Sequence, residues 1–327
     1  MALTVSVNAA KSGLAQPTLH LSADLSFEEG HCTAILGHSG AGKTSLLRCI
    51  AGLDHYEDAH VQYGKTIYEG NGIFIPPHRR RLGFIFQHHN LFEHLSVINN
   101  LRYAIKRSPR LDNADTLDEA ANTFQIKHLL PKMPNELSGG EKQMVALTRT
   151  ALSSPQALLL DEPFSNIDLQ SKELMIQSIK RMSREKNIPV IFVTHSFDEV
   201  AQLADDVVVI EKGAVESSGS LFEITSDLHH SLANKANATV VLNAQIVQHD
   251  DNFGLTKASI NGQVIYVKQT SQPVGNQIRI RIAAKDISIC LAKPDDSSIL
   301  NILPVTIKEI LPIAKTHALL KLDLNGQ

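Results

Sequence analysis

The stretch GHSGAGKT, Gly37–Thr44, matches G-x-x-x-x-G-K-[ST] at every fixed position. An apolar run, TAIL (33–36), precedes it, and the helix-forming SLLRCIAG follows. In that setting glycines let successive backbone N–H groups turn inward around phosphate oxygens. Lys43 then reaches the β- and γ-phosphates, and the Thr44 hydroxyl is a ligand for Mg²⁺. The expected nucleotide-binding set is Gly37, His38, Ser39, Gly40, Ala41, Gly42, Lys43 and Thr44, with Ser45 after them. A helix starting near Lys43 adds its N-terminal dipole to the anion site. Further on, an apolar run ends in two acids, Asp161 and Glu162, before Pro163. Set against a phosphate loop, these divide the labour: Asp161 holds Mg²⁺ and Glu162 polarises the attacking water as general base. The expected chemistry is hydrolysis of a nucleoside triphosphate.

A second glycine pair lies in LSGGEKQ, Leu137–Gln143. Ser138 and Glu141, three apart, make a capping-box pattern, and Met144, Val145, Leu147, Ala151 and Leu152 supply an apolar face. A well-capped helix is one reading of this stretch. Each glycine in a helix, however, costs about 1 kcal/mol relative to alanine. Gly139 and Gly140 therefore suggest a first turn that something approaches closely, such as an anion.

The elements that must position these residues alternate along the first two thirds of the chain. Apolar runs at 33–36, 83–86, 157–160, 190–193 and 207–210 are continuous, as expected for parallel strands buried on both faces. Gly37, Asp161 and His195 follow three of them directly or within two residues, and ligands of parallel α/β sheets gather at the carboxyl ends of strands. Residues 88–152 have helical patterning and read as an inserted helical subdomain. After about 228 the pattern shifts to period two, as in VIYVK (264–268) and IRIRI (278–282), which predicts a small β domain.

Composition narrows the classes. The 327 residues suffice for two domains, and a net charge of −3 offers no footprint for nucleic acid. Cys32, Cys49 and Cys290 lack metal-ligand spacing and fit a reducing compartment. The N-terminus shows no signal peptide, and no apolar run is long enough to span a membrane. Arg79–Arg80–Arg81 reads as a solvated loop.

The order phosphate loop, Gln87, LSGGEKQ, LLLDEP, SNID and His195 after VIFVT resembles that of ABC transporter ATPases, over about the first 230 residues. The resemblance implies ATP and Mg²⁺, a P-loop α/β core and a head-to-tail homodimer. In such a dimer Ser138, Gly139 and Gly140 close over the triphosphate held by the partner subunit. It also implies that Gln87 senses Mg²⁺ and the attacking water, that His195 contacts the γ-phosphate, and that Asp168 belongs to the nucleotide-facing loop before the next helix. Met144 stands where many members have arginine, and no clear aromatic is placed to stack on adenine; Leu14 or His20 lies in that region.

The stretches GHSGAGKTSLLRCIAGL and PPHRRRLGFIFQHHNLFEHLSVINNLRY are most similar to the ATP-binding subunits of molybdate importers. That likeness implies integral membrane permease partners, an indirect link to a periplasmic binding protein, and a peripheral place on the cytoplasmic face of the inner membrane. The implied division is an ATPase domain at 1–228, a linker at 229–235 and a molybdate-binding-like β domain at 236–327. Ser297, Ser298 and Asn301 match its oxyanion positions, with Leu300 where arginine is common. The alternative is a β domain that regulates or stabilises the dimer without a ligand. The end, HALLKLDLNGQ, reads as a strand entering an Asn-Gly turn, which predicts a β domain lacking its last strands. Related importers of sulfate, sugar, polyamine or iron share the ATPase motifs. Soluble ABC ATPases of translation or repair usually have two units or a coiled-coil insertion, and neither is evident here.

Overall fold

The computed structural model describes residues 1–10, 20–87, 90–108, 116–229, 238–294 and 296–326. β1 (Ala2–Ala10) and β2 (His20–Glu28) form an antiparallel pair whose alternate residues, such as Leu3, Val5 and Val7, face the core. β3 (Cys32–Leu36) is buried at every position and ends at the phosphate loop, which opens α1 (Lys43–Ala51). β4 (His60–Tyr63), β5 (Thr66–Gly70) and β6 (Ile73–Phe74) extend the antiparallel side outward from β1. β7 (Leu82–Ile85) follows. Between it and β8 (Ala157–Asp161) come α2 (Val97–Arg107), α3 (Leu117–Thr123) and α4 (Gly139–Ala151), with no strand among the described residues. This is the expected helical insertion. α5 (Leu169–Lys186) leads to β9 (Val190–Val193), α6 (Phe197–Leu203) to β10 (Asp206–Glu211), and β11 (Ala214–Ser220) ends the sheet's run in sequence.

The order across this sheet is β6-β5-β4-β1-β2-β11-β10-β3-β9-β8-β7. The expected apolar runs are β3, β7, β8, β9 and β10, and each neighbouring pair among them is parallel. Every residue of β3, β8 and β9 is buried, so these strands carry side chains into both layers, which explains their unbroken hydrophobicity. Register then aligns their ends. Ile35 pairs with Val193, and Val193 with Asp161, so the residues just beyond them emerge at one edge.

Arg79 and Arg81 are exposed as expected, but Arg80 departs from the expected solvated loop. Arg80 is 0% exposed at its side chain, against Glu69 at 2%, with 2.7 Å between Nη2 and Oε2. Its Nε donates to Ile75 O at 2.7 Å, and Nη1 donates to Cys49 O and Ile50 O at 3.2 and 2.7 Å. Those carbonyls are the C-terminal end of α1, where orphan acceptors and the negative dipole favour a cation. Gly52, the C-cap, must lack a side chain, because a Cβ there would lie 2.4 Å from the Arg80 guanidinium carbon. The other Glu69 oxygen bonds His55 Nδ1 at 2.6 Å. A run of arginines looks solvated in sequence because acceptors thirty residues away are invisible there.

The chain divides into two units, Met1–Ser218 and Gly219–Gln327. The second contains α7 (Leu221–Ser226), which packs on β12 (Thr239–Asp250). With β13 (Leu255–Ile260), β14 (Gln263–Lys268) and β15 (Gln277–Ala283), β12 builds an antiparallel sheet ordered β14-β13-β12-β15. β16 (Thr306–Ala314) and β17 (His317–Asp323) form a separate hairpin. Leu324 joins the small core with Leu242, Ala258, Ile260 and Ile280. Asn325 and Gly326 have φ of 53° and 91°, the left-handed backbone that an Asn-Gly turn requires. Of the expected linker at 229–235, only His229 lies within the described residues.

Arg80→Ala leaves the buried Glu69 with His55 as its remaining partner and the α1 carbonyls without their donor, and should lower stability by about 3–5 kcal/mol. The paired change Arg80→Met with Glu69→Leu should cost much less, and urea denaturation midpoints distinguish the two.

Candidate nucleotide site

The phosphate loop has the backbone its glycines predict. Gly40 and Gly42 have φ of 78° and 105°, and Gly42 is the N-cap of α1. Gly37 is required for packing, since a Cβ there would lie 2.3 Å from Ile210 O. A Cβ on Gly40 would meet nothing within 4 Å, so its glycine serves the turn alone. Helix α1 has no side-chain cap and no acid in its first turn, so its leading N–H groups are kept for another acceptor. Lys43 is buried, and its Nζ donates to Gly37 O at 3.0 Å and His38 O at 2.8 Å. Burial lowers its pKa, while the charges of Glu162 and Asp161 pull it back up.

Thr44 Oγ1 donates to Asp161 Oδ1 at 2.8 Å, joining the start of α1 to the end of β8. Burial raises the Asp161 pKa, opposed by the Thr44 hydrogen bond. These two hard oxygen donors, side by side beneath the loop, fit the demands of a magnesium ion. Glu162 has φ of 45° and donates its N–H to Val193 O at 3.1 Å. The left-handed turn aims its carboxylate along the sheet edge. There Gln87 Nε2 donates to Oε2 at 3.3 Å, and His195 Nδ1 lies 3.6 Å from Oε1. Gln87, Glu162 and His195 come from the ends of β7, β8 and β9, and His195 is 74% exposed at its side chain. The sheet edge thus sets Gln87, Glu162 and His195 side by side, next to the Thr44–Asp161 pair.

The second glycine pair begins α4. Ser138 is its N-cap; Glu141 N–H donates to Ser138 Oγ at 3.2 Å, and Glu141 Oε2 accepts from Ser138 N–H at 2.7 Å. A Cβ on Gly140 would lie 2.6 Å from Ser171 Oγ and 3.3 Å from Asp168 Oδ2, and one on Gly139 would lie 3.3 Å from Asn166 O. The close neighbour of these glycines is therefore the start of α5 in the same chain. An anion is not needed to explain them. Asp168 caps α5, its Oδ1 accepting Ser171 N–H at 2.9 Å, and hydrogen bonding to Ser171 lowers its pKa.

The pattern of the ABC transporter family matches residues 21–165. The molybdenum import ATP-binding protein ModC 1 of Azotobacter vinelandii is 38% identical, over 94% of this chain and 86% of its own. The molybdenum import ATP-binding protein ModC of Pseudomonas aeruginosa is also 38% identical, over 95% of this chain and 88% of its own. The chain belongs to the ABC transporter ATP-binding family. Solved structures agree in fold. An ATP-binding subunit of an ABC transporter has a TM-score of 0.60 at 23% identity, covering 68% of this chain and 92% of that one. An ATP-binding cassette solved as a dimer in a post-hydrolysis state with ADP and Pi has 0.57 at 23%, covering 67% and 98%.

Three residues of this ABC chain escaped the sequence reading. Thr194 and Glu199, both buried, and the half-buried Lys172 form a polar chain beside His195: Lys172 Nζ bonds Glu199 Oε1 at 2.6 Å, and Thr194 donates to Glu199 Oε2. Their only sequence signal is the acid four positions after His195, ordinary for a helix start. For adenine, His20 begins β2, while Leu14 lies outside the described residues. In the second unit Asn301 bonds Tyr266 N–H and O at 2.7 and 2.8 Å, clamping the β14 backbone. Ser297 Oγ accepts from Ile299 N–H at 3.1 Å, Ser298 is exposed, and Leu300 is 55% exposed.

Alanine normally favours a helix over glycine by about 1 kcal/mol. Gly140→Ala should instead lower the melting temperature, and Ser171→Gly in the same chain should recover it.

Proposed function

We propose that this chain is the ATP-hydrolysing subunit of an importer for molybdate, working as a head-to-tail homodimer on membrane permease subunits. The observation that carries the catalytic part is the meeting of Lys43, the Thr44–Asp161 pair and the Gln87–Glu162–His195 group at one sheet edge. The substrate rests on relatives named for molybdenum import that match along nearly the whole chain.

In this reading Gly37–Ser45 wrap the phosphates with backbone N–H groups, and Lys43 exchanges the Gly37 and His38 carbonyls for phosphate oxygens. Thr44 and Asp161, with Gln87, hold Mg²⁺, which when bound neutralises phosphate charge. Glu162 accepts the proton of the attacking water, and its left-handed turn fixes where that proton goes. His195, beside Glu162, donates toward the transferred phosphoryl oxygens. Ser138, Gly139 and Gly140 close on the partner's nucleotide, with Asp168 behind them. ATP binding draws the dimer shut, hydrolysis lets it open, and the permease alternates its access. A periplasmic binding protein delivers the substrate without touching this chain, which works at the cytoplasmic face. Among the described residues no helix is long and apolar enough to cross a membrane.

For the β domain, a role in regulating or stabilising the dimer without a ligand has a specific observation in its favour. Asn301 is committed to the Tyr266 backbone, and arginine is replaced by Leu300.

General bases contribute about 10²- to 10⁴-fold to rate. Glu162→Gln should therefore bind ATP normally while its steady-state phosphate release drops by that order; undiminished turnover would refute the assignment. Uptake assays on the complex with its permease should favour molybdate over sulfate, and equal uptake of both would overturn the substrate.

A further inference from the structure

The turn carrying His195 is held by a polar chain that phosphate chemistry does not use. Thr194, 2% exposed, donates its hydroxyl to Glu199 and accepts Ser196 N–H at 3.0 Å. The Thr194 N–H donates to Ile35 O at 3.3 Å, at the end of β3. His195 is thus flanked on both sides by anchored backbone. Glu199, 8% exposed, takes its countercharge from Lys172 on α5, whose Nζ lies 5.8 Å from the Phe164 ring centroid.

Lys172 follows Ser171, the residue against which Gly140 packs, and lies one turn beyond the cap Asp168. The first turn of a helix moves as a unit, so any shift of the Gly140–Ser171 contact carries Lys172 with it. A pair with Glu199 buried and Lys172 20% exposed at its side chain is a weak way to gain stability, since apolar residues of similar volume usually do as well. What a charged pair adds is a defined orientation, and here the oriented object is the turn of His195.

We propose that Lys172 and Glu199 are positioning residues for His195, fixing its turn against Glu162 and tying it to the corner where α4 meets α5. Removing the ammonium leaves Glu199 with Thr194 alone, and the turn loses its reference to α5. The effect on rate rests on the ATPase reading; the effect on the histidine itself does not.

Two measurements on the full chain test this. In steady-state ATP hydrolysis, Lys172→Met should lower kcat about tenfold with KM within about twofold, the pattern of a lost transition-state interaction. Lys172→Arg should retain most of the rate, and the exchanged pair Lys172→Glu with Glu199→Lys should regain part of it. In histidine-selective NMR of the nucleotide-free protein, the His195 resonance, assigned by its loss in His195→Gln, should shift in Lys172→Met while that of His249 stays. If Lys172→Met does not fold, Thr194→Val is read in the same way.

An unshifted His195 resonance with unchanged kcat overturns the proposal. So does a loss of kcat that only tracks the folded fraction and is not restored by Lys172→Arg. A wild-type chain that does not hydrolyse ATP, yet whose His195 resonance shifts in Lys172→Met, sinks the ATPase reading and leaves the positioning role in place.

Discussion

The register of β3, β8 and β9 is the constraint on which the site depends. These strands are buried on both faces, so their side chains lock them against sliding; a slip of one residue would turn each strand's side chains into the opposite layer. With Ile35, Val193 and Asp161 level, the phosphate loop, the acid pair and His195 leave the sheet together. The polar group at this edge is assembled by the packing of hydrophobic strands rather than by attraction among its own members. The hydrogen bond from Gln87 to Glu162, at 3.3 Å and exposed, is too weak to organise it alone.

Around that edge α1, α4 and α5 are each held at one end. α1 points its free N–H groups at the phosphate site and has its last carbonyls held by Arg80, with Glu69 behind. α4 begins with a capping box and rests its glycines on α5, which is itself capped by Asp168. Such capping leaves the first turns rigid where a charged ligand must be met by preplaced dipoles.

Much of this was legible in sequence because it is local. The phosphate loop carries its own turn chemistry, the capping box spans three residues, and a buried strand shows its burial in unbroken apolar character. The five parallel strands, the helical insertion and the separate β unit follow from such patterns. Gln87 and His195 needed the order of motifs, since neither is distinctive alone. The glycine pair at 139–140 signals a close approach, and within the chain the neighbours are Asn166 for Gly139 and Ser171 for Gly140, which no local pattern shows.

What escaped is uniformly long-range. Arg80 looked like one of three solvated arginines because its acceptors, Cys49, Ile50 and Glu69, are distant in sequence. Lys172 and Glu199 are an unremarkable lysine and acid until α5 and α6 are laid side by side. Asn301 matched a ligand position by sequence, and folding set it on the Tyr266 backbone. The sequence alone determined which segments turn, bury or cap, because those choices depend on neighbouring residues. Only the tertiary structure decided which polar groups pair with one another, because burial makes each find an acceptor or donor wherever the packed chain supplies it.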